Sequence, residues 1–310
     1  MSGSNAQLNL KTAIGSYGYH AALKDGTIKS PNFVLDHIEV TPIIAAFRRM
    51  CRAEEFDICE MAITTYLTAR AYGKQFTAIP VFPIRIFPHS GIVVNAHAGI
   101  DSPKDLEGKK VGVRAYTVTT GVWARGILAS QYGVDLDRIN WILGDEEHVA
   151  EFHKDAPVNT TYKVGANLGQ MLAEGELDAG IGIGNRDAGD AIKPLFKDAR
   201  AETQRFYQET GIYPINHTIV IKDSLLNQHP WLAPELFAAF KQARDMWLKT
   251  ASKEDKLQIS GGFVDGDPLP IGVLENRKVL ETVIQYAHDQ KIIPKYGVED
   301  VFDSRTLELS

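Results

Sequence analysis

The stretch SPKDLEGKKVGVRAYTVTTGVWARGILASQYG, residues 102–133, decides the fold. Ser102 caps a short helical turn that Gly108 stops, and the β-branched run from Val111 to Arg114 reads as a strand. A long helix follows from about Thr120, closed by Gly133 in the left-handed role that a glycine fills without a Cβ penalty. A strand feeding a helix through a short turn is a βα unit. Short apolar runs alternate with helix-length amphipathic stretches on both sides of it, the pattern of a largely parallel sheet.

Toward the N-terminus, Leu8 to Ile14 reads as a first strand, followed by the turn-like GSYGYH of Gly15 to His20. A loop after such a strand end lies where open α/β sheets bind ligands. Val34 to Val40 is the next strand, and Thr41 and Pro42 open the helix TPIIAAFRRMCR. Phe56 to Cys59 is a brief strand, with Glu60 where it gives way to the helix MAITTYLTARAYG. The three prolines in AIPVFPIRIFPHSGIVVN (78–95) make that stretch extended. Its end, Gly91 to Asn95, is read as the crossing into a second lobe.

Toward the C-terminus, Asn140 to Leu143 is a strand, Gly165 to Glu174 a helix, and LDAGIGIG from Leu177 a strand whose small residues permit close packing. The chain returns through YPINHTIVI, where His217 to Ile221 supply a second extended crossing. Helices near Pro230 to Thr250 and Leu274 to Gln290 then rejoin the first lobe. The expectation is a two-lobed α/β protein, each lobe a mixed, mostly parallel sheet flanked by helices. Residues 1–94 and 214–310 form a discontinuous first lobe, 95–213 an inserted second lobe, and the ligand cleft lies at the hinge.

A chain of 310 residues exceeds the comfortable size of one core. Its 44% hydrophobic and 23% charged residues are those of a globular protein. A net charge of -6 without a basic run argues against nucleic-acid and membrane-surface partners, while leaving room for a small anionic ligand. Two cysteines, Cys51 and Cys59, make neither a disulfide framework nor a CxxC metal site. No window approaches a membrane span. The N-terminal MSGSNAQLNLKTAIG has no basic cluster before an apolar stretch, so the protein is expected to be cytoplasmic unless a leader has been removed.

SPKDLEGKKVGV (102–113) and GELDAGIG (175–182) resemble the signature of type II periplasmic-binding-protein-like folds, which serve both transport receptors and enzymes. FDICEMAITTYL (56–67), AIPVFPIRIFPHS (78–90), GVRAYTVTTGVWARGIL (112–128), YPINHTIVIKD (213–223), HPWLAPELFAAFKQAR (229–244) and GVLENRKVLETVIQYAHDQ (272–290) resemble the 4,5-dihydroxyphthalate decarboxylase family. The resemblance implies a carboxy-lyase of phthalate and aromatic-compound degradation, acting on a small anionic aromatic substrate and needing no cofactor. Pro88 before His89, where the family pattern leads us to expect an arginine after the phenylalanine, departs from it.

Decarboxylation of a dihydroxylated aromatic dicarboxylate requires anion clamps, a proton donor at the ring carbon that loses its carboxylate, and a base near the para hydroxyl. YTVTTGV links a strand end to a long helix. Its free N–H groups and the Thr117, Thr119 and Thr120 hydroxyls therefore suit an anion, or simply cap the helix. Arg125 either joins them or braces the helix. Arg85 and His89 follow a strand leading to the expected hinge, and His217 lies at the other crossing. Either imidazole is a candidate proton donor and either is equally readable as a structural histidine. Glu60 is a candidate base or a favourable acid at a helix N-terminus. Arg186 is a second carboxylate fork. Tyr17, Tyr19 and His20 are read as an aromatic wall, the four tryptophans as packing, and Asp145 to His148 as a solvated loop without metal-site spacing.

The first functional reading is non-oxidative decarboxylation of 4,5-dihydroxyphthalate, or a near relative, by acid–base catalysis. The alternative is a solute-binding receptor for a small aromatic or carboxylate ligand of an ABC-type transporter. Homo-oligomers are compatible with either.

Overall fold

The computed structural model describes residues 7–184 and 189–310. Its elements in chain order are β1 (Leu8–Ala13), α1 (Ala21–Lys24), β2 (Phe33–His37), α2 (Ile44–Ala53), β3 (Ile58–Ala62), α3 (Ile63–Ala71), β4 (Phe76–Ile79), β5 (Ile92–Asn95), β6 (Lys110–Val113), α4 (Thr119–Tyr132) and β7 (Asn140–Leu143). They continue with β8 (Thr160–Tyr162), α5 (Leu168–Ala173), β9 (Ala179–Ile181), β10 (Ile192–Pro194), α6 (Ala199–Thr210), β11 (His217–Lys222), α7 (Asp223–Gln228), α8 (Leu232–Thr250), α9 (Lys253–Ser260) and α10 (Val273–Asp289).

The chain divides into two compact units. The first takes residues up to Arg85, Ile215–Leu280 and Tyr296–Ser310, and the second takes Ile86–Pro214 and Glu281–Lys295. Ile86–Val94, Pro214 and Glu281–Lys295, which the sequence reading gives to the first lobe, thus belong to the second unit. Backbone pairing moves the first of these segments: β5 lies antiparallel between β9 and β10. Side-chain contacts hold the last, where the Gln290 amide donates to the Val122 carbonyl at 2.9 Å. The Tyr286 ring there lies against Gly126, where a Cβ would come within 2.0 Å of it.

The sheet of the first unit has the order β2-β1-β3-β11-β4. β1 runs parallel to β2 and β3, whereas β11 runs antiparallel to both its neighbours. Gly91–Asn95 and His217–Ile221 are therefore not paired crossing strands, because they sit in different sheets. Extended pairing occurs instead around Arg85 and Ile215, which form an antiparallel bridge, with the Asn216 N–H donating to the Ile84 carbonyl at 2.8 Å. β3 also runs farther than its local sequence shows. It continues through Glu60 to Ala62 because β11 supplies partners for those residues, Ile219 opposite Glu60 and His217 opposite Ala62. The core on one face joins Leu10, Ile58, Ile79, Ile219 and Ile221 to Leu232, Leu236, Phe237 and Phe240 of α8.

The second unit carries a six-stranded sheet, β10-β5-β9-β6-β7-β8, with β6 parallel to β7 and β9. Gly133 ends α4 in the expected left-handed conformation, φ 64°. In both sheets the strand order reverses beside the first parallel strand, at β1/β3 and at β6/β9. Carboxyl ends of strands at such a reversal leave a crevice that backbone cannot fill, which is where open α/β sheets take ligands. No helix among the described residues is long and apolar enough to cross a membrane.

Candidate functional site

The reversal in the first unit is occupied by a buried carboxylate. Glu60, on the central strand β3, has no solvent exposure and accepts three hydrogen bonds. The Gly15 N–H, just past the end of β1, donates to Oε2 at 2.8 Å. Oε1 accepts the Tyr17 hydroxyl at 2.8 Å and His217 Nδ1 at 2.6 Å. Strand register explains the last contact. His217 stands opposite Ala62, so Glu60 is its diagonal neighbour on the same face, within reach of a long side chain across an antiparallel pair.

Burial alone would raise the Glu60 pKa. The His217 hydrogen bond and charge, the Gly15 N–H and the nearby His20 outweigh it, and the carboxyl titrates below its ordinary range. Burial, followed by the charge of Glu60 and the hydrogen bond to it, pushes the Tyr17 phenol well above its usual value, so it remains a donor. With Nδ1 committed to the carboxylate, Nε2 is the ring nitrogen of His217 that does not contact Glu60. The imidazole is 14% exposed and stands perpendicular to the Phe47 ring, with 5.1 Å between ring centroids.

Aromatic rings support this pair. Tyr17 stacks on Tyr19 at 5.0 Å, His20 meets both edge-on, and Trp247 of α8 closes on Tyr19 at 5.7 Å. The Tyr19 hydroxyl is anchored to the Pro83 carbonyl at 2.6 Å. Full burial lowers the His20 pKa to about 4, so His20 is a neutral wall, not an acid. Ser16, Tyr17, Gly18 and Lys24 line an open depression of about 490 Å³ beside the loop. A groove of about 400 Å³ along β2, between Leu23, Phe33, His37 and Glu235, includes neither Glu60 nor His217. The site is assigned by its chemistry.

The structure thus joins Glu60, His217, Tyr17 and His20 within the first unit. His89 lies in the second unit, 1% exposed against Phe196 and Phe206, with neither ring nitrogen hydrogen-bonded. Burial lowers its pKa to about 4, which leaves it uncharged at neutral pH and unsuited to donate a proton. Arg85 is directed inward, giving hydrogen bonds to the Pro270 carbonyl at 3.1 Å and to Asn276 Oδ1. Arg125 braces its own unit: its guanidinium lies 4.1 Å over the Tyr116 ring and donates to Gln290 Oε1 at 2.7 Å and the Tyr116 carbonyl at 2.5 Å.

The corresponding strand reversal of the second unit is filled by the protein's own acid. Glu147 Oε2 accepts the Thr117 N–H at 3.1 Å and hydroxyl at 2.6 Å, and Oε1 accepts the Tyr116 N–H at 2.6 Å. Thr117 therefore serves Glu147, which with His148 is buried rather than solvated, while Asp145 is half-buried and Glu146 is exposed. Thr119 and Thr120 open α4, and Val118 as its cap makes no side-chain hydrogen bond. Arg186 lies outside the described residues. No three His, Cys, Asp or Glu side chains among the described residues are grouped as metal ligands.

A 4,5-dihydroxyphthalate decarboxylase from Comamonas testosteroni is 31% identical over 309 aligned positions, covering 91% of this chain and 92% of that one. The chain belongs to the 4,5-dihydroxyphthalate decarboxylase family. A second member, from Pseudomonas putida, is 34% identical over 193 positions, covering 57% of this chain and 70% of its own. Residues 36–181 match the family described as ABC transporter, phosphonate, periplasmic substrate-binding protein. The aliphatic sulphonate binding protein SsuA from Escherichia coli superposes with a TM-score of 0.57 at 14% identity, over 97% of this chain and 92% of that one. The desulfurization enzyme DszB does so at 0.54 and 14%, over 95% of each. These establish for the decarboxylase family member a periplasmic-binding-protein-like fold, as the sequence motifs imply.

Sequence reasoning missed two parts of the site. Gly15 is legible only as a turn residue until its N–H is seen on Glu60, and Trp247, read as packing, forms the outer edge of the aromatic wall.

Proposed function

We propose that this protein is a carboxy-lyase that removes one carboxylate of 4,5-dihydroxyphthalate, or a close hydroxylated phthalate, giving a catechol carboxylate and CO2. The observation that carries the reading is the 2.6 Å contact between His217 Nδ1 and the fully buried Glu60, in a chain of this family.

In the proposed chemistry, Glu60 fixes the imidazole through Nδ1, and Nε2 delivers the proton to the ring carbon that bears the departing carboxylate. The hydroxyl para to that carbon gives its proton to solvent as the ring is protonated, and the ring becomes a dienone able to accept an electron pair. Breaking the C–C bond passes its electron pair into the dienone, which restores the aromatic ring as a phenolate and releases CO2. The phenolate and the imidazole then each recover a proton from solvent, so the net change is carboxylate plus proton to C–H plus CO2. A positioned acid of this kind contributes about 10²- to 10⁴-fold.

A cytoplasmic setting belongs to the same proposal. Cys51 and Cys59 are buried thiols not joined in a disulfide, which suits a reducing compartment, and fractionation of the native host tests it. The activity is tested by incubating the protein with 4,5-dihydroxyphthalate in D2O. CO2 release with one deuterium at the vacated ring carbon is expected. Ligand binding without CO2 from any hydroxylated phthalate would overturn the enzyme reading in favour of a receptor.

A further inference from the structure

The loop between β1 and α1 has glycines at positions 15 and 18, and neither adopts the left-handed backbone that usually calls for glycine. Position 15 demands glycine for a different reason. A Cβ there would lie 2.3 Å from Tyr17 Cζ, 2.5 Å from Cε2 and 2.5 Å from the hydroxyl oxygen, far inside van der Waals contact. The phenol folds back across the bare α-carbon of the residue two places before it, and from there its hydroxyl reaches Glu60 Oε1. Meanwhile the N–H of the same glycine holds Oε2.

We propose that Gly15 is a positioning residue of the proton-transfer site, its missing side chain being what allows Tyr17 to lie on Glu60. Together the loop's N–H and phenol grip both oxygens of the carboxylate, so the oxygen facing His217 has one orientation. A methyl group at position 15 leaves the N–H intact and the backbone unstrained, but it displaces the ring, which can swing away only by giving up its hydrogen bond. Oε1 then keeps His217 alone and the carboxylate can turn. The inference rests on reading Glu60 and His217 as the proton-transfer pair.

The test compares wild type, Gly15→Ala, Tyr17→Phe and the double variant. Losing a hydrogen bond to a charged group corresponds to about a tenfold loss in kcat for each single variant. The double variant should fall no lower than Tyr17→Phe, because both changes remove the same bond. Additive losses of about a hundredfold, or Gly15→Ala within twofold of wild type, would overturn the proposal.

If Gly15→Ala folds poorly, thermal unfolding decides the matter in the Tyr17→Ala background, where no ring remains to be displaced. The methyl should then be tolerated, and an undiminished loss of Tm there would refute the proposal. The NMR signal of the His217 Nδ1 proton provides a readout independent of turnover, and it should change alike in Gly15→Ala and Tyr17→Phe. Should the wild-type protein release no CO2, the functional reading fails while the unfolding and NMR comparisons still decide the role of Gly15.

Discussion

Replacing Glu60 by glutamine tests the site with almost no change of shape. Three donors point at the carboxylate: the Gly15 N–H at one oxygen, and the Tyr17 hydroxyl and His217 Nδ1 at the other. An amide has one acceptor oxygen. If that oxygen faces Tyr17 and His217, the amide NH2 meets the Gly15 N–H, leaving a buried donor unsatisfied at a cost of about 1–3 kcal/mol. The two remaining bonds lose their charge assistance, which is worth about 1 kcal/mol each. Neutralising a fully buried carboxylate relieves part of this through desolvation, so the net destabilisation is expected to be about 2–3 kcal/mol. Turnover should suffer more, by about 10²- to 10⁴-fold, because the imidazole loses the anion that holds it in place. Urea unfolding at pH 7 and CO2 release from 4,5-dihydroxyphthalate measure the two effects. A variant destabilised by less than about 0.5 kcal/mol and within twofold of wild-type kcat would refute this account of the dyad.

His217→Ala should lower kcat by about 10²- to 10⁴-fold while leaving substrate affinity, followed by calorimetry, within a few-fold, since a proton donor acts in the transition state. His89 titrates near 4 in the folded protein and near its ordinary 6.5 when unfolded. The unfolded chain therefore binds the extra proton, and stability falls as pH drops from about 6.5 to 4, by about 3 kcal/mol for this ring. His89→Phe should flatten that part of a urea-midpoint-versus-pH curve, and an unchanged slope would count against it. Glu60, whose folded pKa is depressed, adds a further loss at lower pH, below the ordinary carboxylate range. Arg125→Met should destabilise by about 2–4 kcal/mol, because Gln290 Oε1 and the Tyr116 carbonyl lose their buried donor and two ring contacts disappear. Wild-type unfolding in that variant would refute the bracing role.

Glu60 and His217 were legible in the sequence as acid–base candidates, and Tyr17 and His20 as an aromatic wall in the loop after the first strand. Their union was not. Glu60 and His217 are 157 residues apart, and they meet because β11 slots beside β3 in one register, a long-range choice that local periodicity does not encode. The same insertion lengthened β3 beyond its apparent end. The Thr117 turn was located correctly as a strand-to-helix corner, but its donors were already taken by Glu147, 30 residues downstream. His89 and Arg85 show the opposite error. Polar side chains near an expected hinge look free in a sequence, whereas tertiary packing turned both inward.

The placement of β11 between β3 and β4 has a consequence for the order in which the protein assembles. As the chain leaves the ribosome, residues up to Arg85 emerge first, yet β3 and β4 have no common neighbour until Lys222 has been made. Their facing edges stay open through the synthesis of about 130 further residues, and open edges invite pairing with other chains. The second unit is delayed as well, because Gln290 and Tyr286 must arrive to close on Arg125 and Gly126. Each unit is therefore completed by a segment made after most of the other unit, β11 for the first and Glu281–Lys295 for the second. The Glu60–His217 dyad is created at the moment β11 inserts. A ribosome-stalled chain ending at residue 214 should accordingly be cleaved by protease within its first 85 residues, and full protection of that segment would show that the sheet closes without its fourth strand.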